Sequence, residues 1–475
     1  MKRIILKPGE EERILLGHPW VYDNEIDNVL EDREPRTAYL RYDGSARLVP
    51  GECADVESGR KQYLGRAVVN PNSKITARLY SPSKEGIDKG FFKRRIREAV
   101  LRRLFFRDLS TEAARLVFAE ADFLPGLVID SFAGWPLAEI EAAVTRRPVT
   151  FELAQAALGP ARFWLSVQFL VWGMDCRREI ITEALREVVT IINAPDSSGA
   201  YPAAFIPDSA FAGIIEKSAV HVRELEGLPL REGILWGNFP ENGIVIFEGG
   251  LPFIVDLLHG QKTGFFLDQR DNRLLAARYA ANLQKEAGTE PRILDACSYT
   301  GGFGLQASRL IDAPRPMDAP CPQGKLTMID MSGAALETAR RNAALQGVGD
   351  RITAMEANVF DELRNLTRRK EQFDIVILDP PAFAKSRGSL DEALRGYKEI
   401  NLRAIKLVRP GGIFISCSCS YAVDEITFRR MIAEAAADAE RRLIQLDLRF
   451  QAQDHPVLAG YDESLYLKAG VYRVR

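Results

Sequence analysis

From about residue 235 to the end of the chain, short apolar runs alternate with amphipathic segments. Five of the runs have the length and composition of strands: ILDAC, LTMID, ITAME, FDIVILDPP and GIFISCS. A segment such as SGAALETARRNAALQG has the period of a helix, with Ser332 suited to cap its start and Gly347 to end it. Alternating strands and helices predict a parallel sheet with right-handed crossovers. The fold class is therefore α/β, with a Rossmann-like domain over residues 235–475.

Two further domains are predicted ahead of this one. Residues 1–78 contain short apolar runs separated by turn signals such as KPGE, YDGS and ESGR, a pattern typical of a small β-rich module. Residues 79–234 combine a helix at about 90–107 with the strand candidates GLVIDSF and FWLSVQFLVW and the helix REIITEALREVV, which predicts a central α+β domain. Residues 313–324, APRPMDAPCPQG, are predicted to form a surface loop. Three domains fit a chain of 475 residues.

The composition, 46% hydrophobic and 27% charged, is that of a globular protein. The start, MKRIILKPGE, has no apolar run long enough for a signal peptide, so a cytoplasmic protein is predicted. Six cysteines and four histidines show no spacing suited to zinc. We therefore expect neither a metal nor structural disulfides.

The charge of the chain is unevenly placed. A formal net charge of -2 argues against a wholly basic nucleic-acid binder. Residues 91–107, FFKRRIREAVLRRLFFR, nevertheless carry seven basic side chains against one acidic side chain, Glu98, on a predicted amphipathic helix. Two interpretations of this helix are open at this point. Arg94 and Arg97 contact RNA phosphates, or the charged face of the helix is only solvated.

Ligands of an open parallel sheet bind beyond the carboxyl ends of its strands. The first strand is followed by DACSYTGGFG, in which Gly301, Gly302 and Gly304 are expected to let the backbone approach a ligand closely. Asp295 supplies a carboxylate beside this turn, and Asp330, at the end of the second strand, is placed to accept hydrogen bonds from two ribose hydroxyls. These features suit NAD and S-adenosylmethionine equally.

The fourth strand distinguishes a site for S-adenosylmethionine from a site for NAD. It ends in Asp379-Pro380-Pro381, which stiffens the chain where a planar base would meet the cofactor. With this motif the chain resembles the class I S-adenosylmethionine-dependent methyltransferases, and within them the bacterial 23S ribosomal RNA large-subunit methyltransferase I group, which makes 5-methylcytosine. LKPGEEERILLGHPWVYDNEI is similar to that group's PUA module, an RNA-binding β-barrel, and FLPGLVIDSF to its central domain. GQKTGFFLDQRDNR, residues 260–273, resembles the segment that opens its catalytic domain.

The resemblance implies S-adenosylmethionine as the cofactor. The residues that it implies close over this cofactor are Phe266, Asp268, Gln269 and Arg270. Asn358 stands where the group usually has an Asp that meets the adenine amine, and its amide oxygen can still accept that hydrogen bond without the charge. The implied cofactor-binding residues are Phe266, Asp268, Gln269, Arg270, Asp295, Ser298, Thr300, Gly301, Gly302, Phe303, Asp330, Met331, Asn358, Val359, Asp379 and Pro380.

Carbon 5 of cytosine is a poor nucleophile, so its methylation requires a thiolate that first adds to carbon 6. GIFISCSCSYAV places Cys417 and Cys419 at the carboxyl edge of the fifth strand, and Cys419 lies farther toward the open edge. Cys419 is therefore the predicted nucleophile, and the spacing to the next helix in the resembled group favours it too. Cys417 is more readily a packing residue, although a helper role stays open, and Cys297 is expected to pack inside the turn. Ala382 occupies the place of the second cysteine of other RNA cytosine methyltransferases.

Asp379 is the second predicted catalytic residue, because its carboxylate would bind the cytosine amine and ring nitrogen. Phe383 could stack on a flipped base. Lys385 either lowers the pKa of the thiol, contacts phosphate or is a surface lysine. The predicted substrate-binding residues are Pro381, Phe383, Lys385, Arg94 and Arg97. The implied partner is 23S ribosomal RNA. No membrane partner is expected, and whether the protein forms a homodimer stays open.

Two other functions remain compatible with the sequence. In one, the DPPAF motif orients a different RNA base and the cysteines take no part in the reaction. In the other, the chain is a non-catalytic RNA-binding protein of ribosome assembly that keeps a cofactor fold, since Asn358 and the Pro-rich loop depart from the pattern.

Overall fold

The computed structural model describes residues 1–31, 48–106, 113–193, 211–260, 264–309, 325–383 and 390–475. Lys385 and the predicted Pro-rich loop at 313–324 lie outside these residues. Within them, no helix is both long and apolar enough to cross a membrane.

The N-terminal part of the chain forms a six-stranded sheet. Its elements are β1 Lys2–Leu6, α1 Glu11–Leu15, β2 Trp20–Val21, β3 Ile26–Leu30, β4 Cys53–Glu57, β5 Tyr63–Val69 and β6 Ala77–Ser81. The strand order is β2-β6-β5-β4-β1-β3. β1 and β4 run parallel, and the other pairs are antiparallel. Alternate side chains such as Ile4, Val56 and Ala67 fill a core on one side of the sheet.

A seven-stranded sheet forms the centre of the molecule. Its strands are β7 Ala114–Phe118, β8 Leu127–Pro136, β9 Arg162–Phe169, β10 Phe211–Lys217, β11 Glu232–Gly237, β12 Ile244–Glu248 and β13 Leu251–Val255. The helices are α2 Lys89–Leu104, α3 Leu137–Ala143, α4 Phe151–Leu158, α5 Trp172–Asp175, α6 Arg178–Asn193 and α7 Val222–Leu225. The strand order is β11-β10-β9-β8-β12-β13, with β7 also paired to β8. The predicted strands GLVIDSF and FWLSVQFLVW become β8 and β9, and every residue of β8 is buried because both faces of this strand are covered.

Both predicted domain boundaries fall inside strands. The boundary at residue 78 falls inside β6, which continues to Ser81. The boundary at residue 235 falls inside β11, and the hairpin of β12 and β13 beyond it pairs with β8 of the central sheet rather than with the C-terminal sheet. Turn signals mark the ends of strands, but strand pairing decides the sheet to which each strand belongs.

The C-terminal sheet also has seven strands. They are β14 Ile293–Ala296, β15 Leu326–Asp330, β16 Ile352–Glu356, β17 Phe373–Leu378, β18 Val408–Ser418, β19 Leu443–Arg449 and β20 Lys468–Val474. The helices are α8 Arg270–Ala287, α9 Gly302–Ala307, α10 Gly333–Leu345, α11 Val359–Arg368, α12 Leu390–Lys406 and α13 Glu425–Asp438. The strand order is β16-β15-β14-β17-β18-β20-β19, and the first five strands are parallel and match the five predicted apolar runs. The chain order reverses between β14 and β17, where ligands bind in such sheets.

The predicted ends of α10 are confirmed. The Ser332 hydroxyl accepts a hydrogen bond from the backbone N–H of Ala335 at 3.2 Å, and Gly347 follows the helix with a φ of +72°. This left-handed conformation is one that glycine adopts without a steric cost.

The basic helix α2 packs an apolar face that includes Phe92 and Ile96 into the central core. Its charged face is largely paired within the protein. Lys93 contacts Glu187 at 2.8 Å, and Arg94 forms an ion pair with Glu85. Arg94 would therefore have to share its charge between Glu85 and a phosphate.

Candidate functional site

The turn after β14 is held by carboxylates from two strands. Asp295 is almost fully buried, and its Oδ2 accepts a hydrogen bond from the backbone N–H of Gly304 at 2.7 Å. Asp330 Oδ2 accepts a hydrogen bond from the backbone N–H of Tyr299 at 2.8 Å. Tyr299 and Cys297 both have positive φ angles, of 49° and 64°, which are uncommon for residues with a side chain. These carboxylates offset the cost of a strained turn at the point where the sheet reverses its order.

The glycines of this turn are closely packed on the side where a side chain would be. A Cβ on Gly304 would lie 2.8 Å from Asp295 Oδ2, and one on Gly301 would lie 3.0 Å from Met328 Sδ. A Cβ on Gly302 would lie 3.1 Å from Arg273 Cδ. The space beside the α-carbon of each glycine is filled by the protein itself, so a side chain at any of the three positions would crowd its neighbours.

Two buried polar atoms at the turn have no hydrogen-bond partner within the described part of the chain. They are Asp295 Oδ1 and Ser298 Oγ. Because buried polar groups are normally satisfied, this pair indicates a place for a ligand that brings its own hydroxyl or amino groups. Burial, above all, raises the pKa of Asp295 to about 7, with nearby Asp379 and Asp330 adding to the effect while the Gly304 N–H and Arg273 oppose it. A ligand that donates hydrogen bonds to this carboxyl group would favour its ionised form.

The other predicted cofactor residues differ in what they present to the site. Met331 is 68% exposed beside Asp330 and offers an apolar surface. Phe303 and Val359 instead belong to the core, so their side chains are not available to a ligand. Thr300 is buried, and its carbonyl accepts a hydrogen bond from Asn342 Nδ2 at 2.9 Å. These buried residues can therefore face a cofactor only through their backbone.

Asn358 caps helix α11. Its Oδ1 accepts hydrogen bonds from the backbone N–H groups of Phe360 at 3.0 Å and Asp361 at 3.4 Å. Asparagine is among the preferred residues at this helix position, so the cap explains its presence without a ligand. The predicted bond to an adenine amine would have to share this oxygen with the cap.

Residues of the segment from Phe266 to Arg270 contact the candidate site, and others of the same segment lie at a domain interface. The Phe266 ring lies edge-on to Tyr299, with ring centroids 5.2 Å apart. Gln269 donates a hydrogen bond from Nε2 to Asp379 Oδ1 at 3.0 Å, and Asp268 Oδ2 accepts one from the Tyr466 hydroxyl at 2.6 Å. These contacts bring the segment against both the glycine turn and the DPP motif.

Arg270, one of the predicted cofactor-binding residues, is engaged in ion pairs within the protein. Its guanidinium is buried and lies 3.3 Å from the carboxylate of Asp454. Arg273, which the sequence pattern did not single out, takes the place beside the turn. It donates to the Phe266 carbonyl at 2.9 Å and binds both carboxylate oxygens of Glu248. Arg270 Nε also lies 3.9 Å from Glu248 Oε2, so the two arginines, three residues apart on one side of α8, share this carboxylate.

The DPP motif lies at the end of β17 with a tyrosine beneath it. The Tyr397 hydroxyl accepts a hydrogen bond from the Phe383 backbone N–H at 3.3 Å and lies 3.4 Å from the carbonyl oxygen of Pro381. The Phe383 and Tyr397 rings are 4.6 Å apart. Pro381 is exposed and Pro380 is buried. Tyr397 thus holds Pro381 and Phe383, two of the predicted substrate-binding residues, at the end of β17.

The two cysteines at the end of β18, the strand next to β17 in the sheet, differ in accessibility. Cys417 is fully buried in β18, and burial, followed by the nearby charge of Asp379, raises its pKa well above the ordinary range. Cys419 lies just past the end of β18 and is partly exposed. Burial likewise raises the pKa of Cys297 far above its usual value, with Asp330 adding to the effect. Cys417 and Cys297 are therefore held as neutral thiols.

Comparisons with known proteins agree with this architecture. Residues 4–82 match the model of a PUA-like domain, and residues 234–473 match that of an S-adenosylmethionine-dependent methyltransferase. A structure described as a putative S-adenosylmethionine-dependent methyltransferase from Streptococcus mutans superposes with a TM-score of 0.71 at 18% identity, covering 100% of both chains. That structure shows a shared fold over the whole length.

Curated relatives match from end to end. Proteins named ribosomal RNA large subunit methyltransferase I from Shewanella denitrificans and Vibrio cholerae are each 34% identical to this chain, and the one from Aeromonas salmonicida is 33% identical. Each match covers 99% of this chain and 99% of the relative. The chain therefore belongs to the ribosomal RNA large subunit methyltransferase I family, and it joins a PUA-like domain to an S-adenosylmethionine-dependent methyltransferase domain.

Proposed function

We propose that this protein transfers a methyl group from S-adenosylmethionine to carbon 5 of a cytosine in large-subunit ribosomal RNA, with Cys419 as the nucleophile. The names of the full-length relatives support the RNA substrate, and the PUA-like domain is consistent with it. The observation that carries the cytosine assignment is the accessibility of one thiol, that of Cys419, at the carboxyl edge next to the DPP motif.

The residues of the turn suit the cofactor. Asp295 and Ser298 supply the unsatisfied polar atoms, Asp330 lies at the end of the second strand, and Met331 provides an apolar surface. When bound, S-adenosylmethionine supplies an electrophilic methyl group. Gln269 and Asp379, joined by their hydrogen bond, link the segment over the turn to the motif that would hold the base.

Cys419 and Asp379 would divide the chemistry. The sulfur of Cys419 adds to carbon 6 of the ring, and the electron pair of the double bond makes carbon 5 nucleophilic. Asp379 accepts hydrogen bonds from the cytosine amine and so orients the ring. Once carbon 5 carries the methyl group, loss of its proton and departure of the thiolate restore the aromatic ring. The buried neutral thiol of Cys417 is poorly suited to the first step because the thiolate is the reactive form.

The direct test is to map modified nucleotides in ribosomal RNA by mass spectrometry, comparing a deletion strain with its parent. The proposal expects one 5-methylcytosine of the large-subunit RNA to be lost in the deletion strain and restored by a plasmid copy of the gene. Loss of a methyl group from a guanine instead would favour a reaction without the cysteine. An unchanged set of methyl groups would favour a non-catalytic role in ribosome assembly.

Cofactor affinity should depend on pH through Asp295. With a pKa of about 7 in the free protein, this carboxyl group must lose its proton to accept hydrogen bonds from the cofactor. Affinity for S-adenosylhomocysteine, measured by calorimetry, is expected to be about tenfold weaker at pH 6 than at pH 8. Asp295→Asn is the matched control, and it should bind more weakly at pH 8 with a flatter pH profile. Identical pH profiles for the two proteins would contradict the assignment.

Charge reversal on helix α2 tests the predicted RNA contacts. The double variant Arg94→Glu and Arg97→Glu is expected to bind ribosomal RNA fragments several-fold more weakly, with a shallower dependence on salt, because fewer counterions are released. Arg430→Glu, on the exposed face of α13, is the control and should bind normally. If the double variant binds like the wild type, α2 is a solvated face, and the PUA-like domain must carry the contacts.

A further inference from the structure

A buried lysine lies beside the end of the strand that carries the cysteines. Lys468 is the first residue of β20 and pairs in register with Ser418, the last residue of β18. Its side chain is 2% exposed. Cys419 follows Ser418 directly, so the antiparallel pairing brings a lysine from the C-terminal strand next to the proposed nucleophile.

The contacts of the Lys468 ammonium group are unusual for a buried lysine. Its Nζ donates hydrogen bonds to the carbonyl oxygens of Ser420, at 2.7 Å, and Tyr466, at 2.8 Å. An ammonium group has three donors, so these carbonyls leave one proton to donate. No carboxylate of the described residues lies within 4.0 Å of the nitrogen. Buried lysines are normally paired with an anion.

Two acidic groups act on Lys468 when they are ionised. The Cys419 thiol has the larger effect and the Asp424 carboxyl group the smaller one. Burial opposes them and lowers the pKa of Lys468 to about 8. Tyr397, Tyr466 and Cys417 also face Cys419, and burial raises the pKa of each, so all three stay neutral near pH 7. Lys468 is the positively charged member of this group.

We propose that Lys468 is a positioning residue whose ammonium group stabilises the thiolate of Cys419, an inference that rests on the proposed role of Cys419. The Sγ proton leaves to solvent before the base arrives, and the sulfur electron pair that remains forms the bond to carbon 6. The ammonium group keeps its proton and its two bonds to carbonyl oxygens throughout. Thiolates beside lysine side chains are favoured in this way in other proteins.

The alternative is that Lys468 only ties the end of β18 to β20 through the two carbonyl groups. The two roles differ in their effect on the thiol. A purely structural lysine would influence stability, but it would leave the pH dependence of Cys419 reactivity unchanged.

The experiment is the rate of alkylation of Cys419 by iodoacetamide in the full-length protein from pH 5.5 to 10, with fragment mass spectra used to separate Cys419 from Cys417. The expected apparent pKa of wild-type Cys419 lies below the ordinary thiol value of about 8.5. Lys468→Met should raise it enough to slow alkylation at pH 7 about tenfold. Lys468→Arg should retain most of the wild-type rate because it keeps the charge. Lys398→Met, which removes a surface lysine from α12, should change nothing.

A Lys468→Met protein that folds, as judged by circular dichroism and S-adenosylhomocysteine binding, and shows the wild-type pH profile would overturn the proposal. An apparent pKa of 8.5 or more for Cys419 in the wild type would also overturn it, even if the variant does not fold. Alkylation needs neither RNA nor turnover. Failure of this inference is therefore distinct from failure of the proposed function, which would appear as unchanged methyl transfer in Cys419→Ala.

Discussion

Replacing Cys419 with alanine is expected to lower the rate of methyl transfer to ribosomal RNA by about a thousandfold or more, because loss of a covalent nucleophile removes the path that activates carbon 5. Affinity for S-adenosylhomocysteine should stay within about twofold of the wild type, since Cys419 is not among the residues that form the glycine turn. The measurement is single-turnover transfer of a labelled methyl group, together with calorimetry of cofactor binding.

Cys417→Ala is the matched control for this variant. Cys417 is two residues earlier, fully buried in β18 and held as a neutral thiol, so its loss leaves only a small cavity. Its methyl transfer rate should remain within a few-fold of the wild type. If Cys417→Ala were inactive and Cys419→Ala active, the roles of the two cysteines would be reversed. If both variants turned over normally, a reaction without a cysteine nucleophile would be favoured.

Asp454→Asn is expected to lower the free energy of unfolding by about 3–5 kcal/mol. Asp454 is fully buried, and its Oδ2 accepts a hydrogen bond from the backbone N–H of Arg115 at 3.0 Å and lies 3.3 Å from Arg270. Its carbonyl accepts a hydrogen bond from Arg103 at 2.9 Å. Three elements from two domains therefore meet at this one residue. The neutral side chain would leave the buried Arg270 charge with Glu248 as its remaining carboxylate, 3.9 Å away and already shared with Arg273.

The pH dependence of this interaction follows from the pKa of Asp454. Burial works against the charge, but Arg270 and His455 outweigh it and hold the pKa well below its usual range. The stabilisation is complete above the unfolded-state pKa of about 3.9 and is lost as the pH falls below that value.

Urea unfolding at pH 7 should show the lower free energy of unfolding of Asp454→Asn. The control is Glu286→Gln, which breaks an exposed pair with Arg473 and should unfold like the wild type. Equal midpoints for Asp454→Asn and the wild type would contradict this account.

The sequence predicted the parallel half of the catalytic sheet well. Five apolar runs became β14 to β18 because buried parallel strands are almost continuously apolar, a strong local signal. The residues at their carboxyl ends, among them Asp295, Asp330 and Asp379, came together because the topology of such sheets is nearly invariant. Ser332 was predictable for the same reason, since helix caps depend on adjacent residues.

The contacts that sequence reasoning missed join residues far apart in the chain. Arg270 and Arg273 lie three residues apart in one motif, and only the packed structure shows that both contact Glu248 while Arg270 also contacts Asp454. The sequence analysis did not identify Lys468, because its neighbours depend on the register in which β20 pairs with β18. Local sequence patterns do not encode this antiparallel register. The glycines were recognised, but their close neighbours, such as Met328, become apparent only once the helices are packed.

The most direct test of a cysteine-dependent cytosine methyltransferase is to trap its covalent intermediate. In ribosomal RNA containing 5-fluorocytosine, the fluorine replaces the carbon 5 proton whose loss releases the enzyme, so the bond from sulfur to carbon 6 persists after methyl transfer. We predict a denaturation-resistant complex that forms only with S-adenosylmethionine and whose digest carries one nucleotide on Cys419. The account would be contradicted if no such complex formed with an RNA that the protein methylates in its unsubstituted form. A complex attached to a residue other than Cys419 would contradict it as well.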